Sequence, residues 1–224
     1  MSRPVLFLRP EPDSENSVAA ARAAGFDADA YPLFLIAPVP WTGPEPELVD
    51  AVMFTSANAA RHGGAQLGRY RHLPAFAVGE ATAAAVRAAG FASVHAGTSG
   101  VQALVDYVLV QGHRAVLHIS GHDIRTFDPH GLRVSSACVY AAVESGSAAG
   151  LIEHLQSGTA ILVHSPRAGA RLAALLPLAQ RADFDLVAIS PAARDAAGTG
   201  WRHSFAADEP REKAMLALAA ALCD

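Results

Sequence analysis

The residues best able to do chemistry in this chain follow short apolar runs. Arg9 comes after residues 5–8; Thr55, Ser56 and Asn58 after 51–54; Gly79 and Thr82 after 75–78. Ser120 and Gly121 close the run 116–119, Ser165 follows 160–163 and Ser190 follows 186–189. If these runs are strands, the polar residues stand at strand C-termini, where open α/β sheets place their ligands. A hydroxyl there caps the next helix, and the start of that helix offers backbone N–H groups to an anion. Capping alone accounts for any one of them. Six such ends in one small protein point as well to a polyanionic ligand. Arg9, Arg61, Arg125 and Arg167 also stand near run ends, placed to give charge-assisted hydrogen bonds to carboxylates.

Several other chemistries are excluded. The sequence has no GxxxxGK[ST] phosphate loop, no GxGxxG after its first run and no HExxH. Its ten histidines lack ligand spacing. His118 and His122 are four apart, but they straddle a run end and a glycine, so they do not share a helix face, and no metal is expected. Cys138 and Cys223 make neither a disulfide framework nor a metal clip. Seventeen basic against 21 acidic residues, a net charge of −4, give no footprint for nucleic acid. No stretch approaches the ~20 apolar residues that span a bilayer, and the apolar run between Arg3 and Arg9 is too short for a signal peptide. A cytoplasmic protein with no membrane partner is expected.

The elements that must position these residues come in a regular alternation. Apolar β-type runs at 5–8, 51–54, 75–78, 94–95, 116–119, 134–139, 160–163 and 186–189 alternate with Ala-rich stretches at 16–24, 81–89, 101–110, 168–176 and 213–222. Alanine is the best helix former, and Gly25 and Gly90 follow two of these stretches where a left-handed terminator is wanted. Strands continuous in apolar residues and alternating with helices predict α/β architecture with parallel sheets flanked by helices. The chain also echoes itself. Met53-Phe54-Thr55-Ser56-Ala57-Asn58-Ala59 returns as Leu162-Val163-His164-Ser165-Pro166-Arg167-Ala168, and Phe76-Ala77-Val78-Gly79-Glu80-Ala81-Thr82 returns as Val187-Ala188-Ile189-Ser190-Pro191-Ala192-Ala193. Two similar α/β domains follow, within the reach of 224 residues that are 51% hydrophobic. A Pro-rich patch over 31–44 and an extended run from Cys138 to Ser147 read as two crossings. Residues 1–34 with 144–224 are then one discontinuous domain and 40–137 an inserted one. The extended connectors are 35–39 and 138–143, with a ligand cleft between the domains.

Leu8-Arg9-Pro10, Phe54-Thr55-Ser56-Ala57-Asn58-Ala59, Ala77-Val78-Gly79-Glu80-Ala81-Thr82-Ala83 and Val139-Tyr140, in this order and spacing, resemble the uroporphyrinogen-III synthase family. Ser165-Pro166 and the final helix add to the likeness, which runs over nearly the whole chain. There are departures. Ile189-Ser190-Pro191-Ala192-Ala193 stands where the family usually carries glycine and threonine, and His118-Ile119-Ser120-Gly121 where an arginine commonly precedes the glycine. The resemblance implies a lyase without cofactor that closes the linear tetrapyrrole hydroxymethylbilane to uroporphyrinogen III, inverting ring D and losing water, and a monomer is expected.

That chemistry begins with departure of a hydroxyl from the ring A methylene. The protein must assist the leaving group and hold a flexible chain in one geometry. The resemblance places the family's functional tyrosine at Tyr140, whose phenol can donate to the leaving hydroxyl. Arg9, Thr55, Ser56, Asn58, Gly79, Thr82, Ser120, Gly121, Ser165 and Ser190 are the candidate substrate contacts. The alternative is a two-domain module that binds or senses a small anion without catalysis.

Overall fold

Apolar runs became strands and Ala-rich stretches became helices, in a computed structural model that describes residues 3–98, 100–124 and 126–222. Arg125 and Cys223 lie outside the described residues. The chain opens with β1 (Pro4–Phe7), α1 (Asp13–Ala23) and β2 (Asp27–Ala30). It continues through β3 (Phe34–Pro38), β4 (Ala51–Phe54), α2 (Ala57–His62), β5 (Ala75–Ala77), α3 (Glu80–Ala88), β6 (Val94–Ala96), α4 (Val101–Val110), β7 (Ala115–Gly121) and β8 (Arg133–Glu144). It closes with α5 (Ala148–Glu153), β9 (Ala160–Val163), α6 (Pro166–Leu175), β10 (Asp185–Ala188), α7 (Pro191–Ala196), β11 (His203–Ala206) and α8 (Glu212–Ala221). Two compact units result. Unit 1 takes both chain ends, through Leu35 and from Val143 onward; unit 2 is Ile36–Ala142.

Unit 1 holds a parallel five-stranded sheet in the order β11-β10-β9-β1-β2. Unit 2 holds the sheet β3-β8-β7-β4-β5-β6, parallel from β8 to β6. Without β3, the two orders are the same, with β9 matching β4, β10 matching β5 and β1 matching β7. The registers make the match residue by residue. Val5 pairs with Ala160 as Val116 pairs with Ala51. Phe7 therefore occupies the place of His118, and His164, one residue past β9, the place of Thr55. The unit 2 sheet carries apolar residues on both faces: Val116 and Met53 pack on one, Leu117 and Ile119 on the other.

The crossings are extended but not unpaired. Residues 34–38 and 133–144 are neighbouring strands, with Val39 N donating to Val139 O and Ser145 N to Leu33 O. Those two bonds count in opposite directions along the chain, so the crossings run antiparallel. Pro38 ends its strand at the sheet edge, where its missing N–H is tolerated. The crossovers also differ. β1 reaches β2 through α1, whereas β7 reaches β8 through residues 122–132, which carry no helix among their described residues. Asp128-Pro129-His130-Gly131 in that stretch breaks helices, and both His130 and Gly131 have positive φ.

At the opposite end of the unit 1 sheet, the carboxylate of Asp185 is fully buried among Arg3, Arg202 and His203. Burial alone would raise its pKa. Hydrogen bonds from Arg202 and His203 and the charges of Arg202 and Arg3 outweigh that and hold it below the ordinary carboxylate range. Among the described residues, no helix is long and apolar enough to cross a membrane.

Candidate active site

Unit 2 carries a cavity of about 340 Å³ at the C-terminal ends of its strands. Thr55, Ser56, Gly121 and Tyr140 line it, with Val78, Gly100, Val101, Asp123 and Ile124. This size suits a binding pocket for part of a ligand. Each lining group has a local cause. β4 ends in Phe54, and Ser56 then adopts extended backbone and accepts from Asn58 N at 3.2 Å, capping α2. Asn58 sits in the first turn of α2, and its side-chain oxygen accepts from Arg61 at 3.1 Å. Gly100, with φ 92°, turns the chain from β6 into α4. A bulge between Ser120 and Gly121 sets Gly121 opposite Tyr140 across the β7–β8 ladder.

Gly121 matters through what it lacks. A β-carbon there would stand 2.6 Å from Tyr140 Cε2 and 2.8 Å from its hydroxyl, so only glycine admits the ring in this position. The Tyr140 ring also lies 6.1 Å from that of His62, and its hydroxyl has no hydrogen-bond partner among the described residues. Burial and the charge of the neighbouring Arg61 both lower the pKa of His62. Thr55 Oγ1 lies 2.9 Å from His118 Nε2.

Other expected contacts stand elsewhere. Ser120 is buried within β7, and Thr82 is buried in the first turn of α3 behind Gly79; the cavity wall there is Val78. Arg9, Ser165 and Ser190 belong to the strand ends of unit 1. Ser165 caps α6 by accepting from Ala168 N at 3.1 Å, and Ser190 caps α7 from Ala193 N at 3.3 Å. The Arg9 guanidinium is engaged by Asp13 at 2.8 Å and Glu212 at 3.0 Å. Glu212 also accepts from Ser17 and stands 3.4 Å from His164 Nε2. Burial, then the charge of Arg9, push the pKa of His164 down to about 4, against the opposing pull of Glu212. Among the described residues, no three histidine, cysteine or carboxylate side chains gather as a metal set.

A family profile described as uroporphyrinogen-III synthase HemD matches residues 15–217. The chain belongs to the uroporphyrinogen-III synthase family. No curated protein sequence matches it. Among solved structures, a uroporphyrinogen-III synthetase from Helicobacter pylori is similar over 98% of this chain and 99% of that one, with a TM-score of 0.66 at 16% identity. A mutant uroporphyrinogen III synthase from Thermus thermophilus aligns over 99% of both chains at 19% identity, with a TM-score of 0.46. The first of these likenesses carries the fold of the synthase family onto this chain: parallel α/β sheets flanked by helices.

Within that family assignment, four of the residues named from sequence, Thr55, Ser56, Gly121 and Tyr140, meet in one cavity. Gly100, Val101, Asp123 and Ile124 were not foreseen. They follow β6 and β7, Val101 as the first residue of α4 and the others on loops, and the signal available was Gly97-Thr98-Ser99-Gly100 and Gly121-His122-Asp123 directly after apolar runs.

Proposed function

We propose that this protein is a uroporphyrinogen-III synthase, acting in tetrapyrrole and heme biosynthesis on hydroxymethylbilane. The observation that carries the reading beyond family membership is the Tyr140 hydroxyl, without a hydrogen-bond partner among the described residues, over a cavity edged by Thr55 and Ser56. It is a lyase reaction. The phenol donates a proton to the hydroxyl departing from the ring A methylene, water leaves, and an electrophilic azafulvene remains. The substituted carbon of ring D attacks it to give a spiro intermediate, which fragments and recloses with ring D inverted. The proton is returned when the newly bonded pyrrole carbon loses hydrogen and regains aromaticity. No protein nucleophile is needed. The chain's task is to supply donors, to exclude closure without inversion, and to aid the leaving group.

The substrate carries eight carboxylates while the protein's net charge is −4, so binding falls to local donors. Thr55, Ser56 and the turn before α4 supply them in unit 2. Gly79, Asn58 and Thr82 support the helix starts beside them, and Ser120 supports the bulge. Arg9, Ser165 and Ser190 are the corresponding candidates in unit 1. We further propose a cytoplasmic monomer that needs no cofactor. Purified protein given fresh hydroxymethylbilane, without added metal or nucleotide, is expected to yield the type III isomer. Formation of only the spontaneous type I isomer would overturn the reading and favour a module that binds small anions.

A further inference from the structure

His118 has no part in the mechanism above, yet it is buried and in contact with cavity-lining Thr55. It lies mid-strand in β7, 1% exposed, opposite Met53 and with the Phe127 ring at a steep angle 5.4 Å away. Nε2 meets Thr55 Oγ1 at 2.9 Å, while Nδ1 is buried with no hydrogen-bond partner among the described residues. Burial pushes its pKa down to about 4, so at pH 7 the ring is neutral and carries one N–H.

That single hydrogen has two possible seats. On Nδ1, it is a buried N–H without an acceptor, and Thr55 must give its own hydrogen to Nε2. On Nε2, it is donated to Thr55 Oγ1, and the unmet group is only a lone pair. Orphaned buried N–H groups are the rarer defect in folded proteins, and the hydrogen bond made by one ring nitrogen sets the tautomer of the other. A threonine hydroxyl has one hydrogen and two lone pairs. Once it accepts from His118, its hydrogen is left for the cavity that Thr55 lines.

We propose that His118, held as the Nε2–H tautomer, is a positioning residue that fixes Thr55 as a hydrogen-bond donor toward a ligand carboxylate. The fold itself does not require this pair. In unit 1, Phe7 fills the place of His118 and His164 that of Thr55, in the same strand register. The same architecture thus packs with a phenyl ring at this position, and the relay belongs to the unit whose cavity lies at its strand C-termini.

The tautomer stands on the burial and geometry of His118; its effect on turnover rests on the function proposed above. Nitrogen-15 spectra of histidine-labelled protein at pH 7, without substrate, are expected to show a protonated Nε2 and an unprotonated Nδ1 for His118. A protonated Nδ1, alone or with Nε2, overturns the proposal. His118→Phe, checked for wild-type unfolding, is expected to raise KM for hydroxymethylbilane about tenfold, the low end for a hydrogen bond to a charged group, with kcat within about twofold. Thr55→Val should do the same, and the double variant no more than either alone. His118→Gln, whose amide can still donate, should recover most of the loss. An unchanged KM in His118→Phe, or additive effects in the double variant, overturns the positioning role. A wild-type protein without turnover counts against the proposed function, and the spectra still decide the tautomer.

Discussion

The two units finish the same sheet in different ways. In unit 1, helix α1 spans the β1–β2 crossover, and Ser17 and Asp13 reach Arg9 while Glu212 of α8 fills the space between Arg9, Ser17 and His164. In unit 2, the matching crossover is loop, Gly121 gives way to the Tyr140 ring, and a cavity of about 340 Å³ stays open beside Thr55 and Ser56. Strand order therefore does not decide which strand ends stay open; what fills them does. In unit 1 the strand-end cation Arg9 is held by carboxylates of its own unit, whereas in unit 2 the Tyr140 hydroxyl has no hydrogen-bond partner among the described residues.

The largest expected effect separates the units by stability. Asp185→Asn removes the fully buried charge shared by Arg3, Arg202 and His203, and unit 1 should lose roughly 3–5 kcal/mol. The matching position in unit 2 is Pro74, so hydrogen exchange should quicken in β9 and β10 and stay unchanged in β4 and β7. Equal quickening in both units would break the comparison. The pH sign follows from the lowered pKa of Asp185: its contribution is full above the unfolded carboxylate value of about 3.9 and is lost as pH falls through the folded value. His164 and His118 act in the same direction but earlier. Both are held near 4 when folded, so the unfolded chain takes up protons first, and stability declines as pH falls from about 6.5 toward 4. Urea unfolding at pH 7.5, 6 and 5 should show that decline, and His118→Phe should make it shallower.

Next in size is Tyr140→Phe, which keeps the ring and removes the donor. Turnover should fall ~100-fold or more with unfolding unchanged, as expected for a general acid; an unaltered kcat would remove that role and leave the family assignment standing. Gly121→Ala tests the same site from behind. Its methyl displaces the Tyr140 ring, and the rate should fall by about tenfold, the cost of misplacing a group that assists by position. The smallest effect belongs to unit 1. Glu212→Gln loosens a partly exposed pair with Arg9, so stability should change by under about 1 kcal/mol. With Arg9 then held by Asp13 and no longer by the Glu212 charge, KM should fall by no more than about fivefold.

Much of this was legible in the residues. β4, β9 and α4 have the bounds read from sequence, since 51–54 and 160–163 are buried throughout and Gly100 and Gly112 frame α4. β2 and β11 gave no signal, because Asp27-Ala28-Asp29-Ala30 buries only Ala28 and His203-Ser204-Phe205-Ala206 none. At the site, hydroxyls after strands pointed to Thr55 and Ser56, and the family resemblance to Tyr140. His118 was weighed only as a metal ligand, since sequence does not say which face of β7 meets Thr55. Nor does it reveal that Gly121 matters as space for a ring, or that Arg9 is engaged by Glu212.

The antiparallel crossings bear on how the chain acquires its shape. Unit 2 is one continuous stretch, Ile36–Ala142, and has all its strands while unit 1 still lacks β9, β10 and β11. Strand β1, made first, must wait for residues 160–162 to gain its second neighbour. Closing so long a loop in a flexible chain costs on the order of 4 kcal/mol in entropy. Once β3 lies beside β8, Leu33 and Ser145 are already hydrogen-bonded, and the intervening residues no longer count as loop. The inserted unit thereby serves the split one as a short hairpin, turning a distant pairing into a local one.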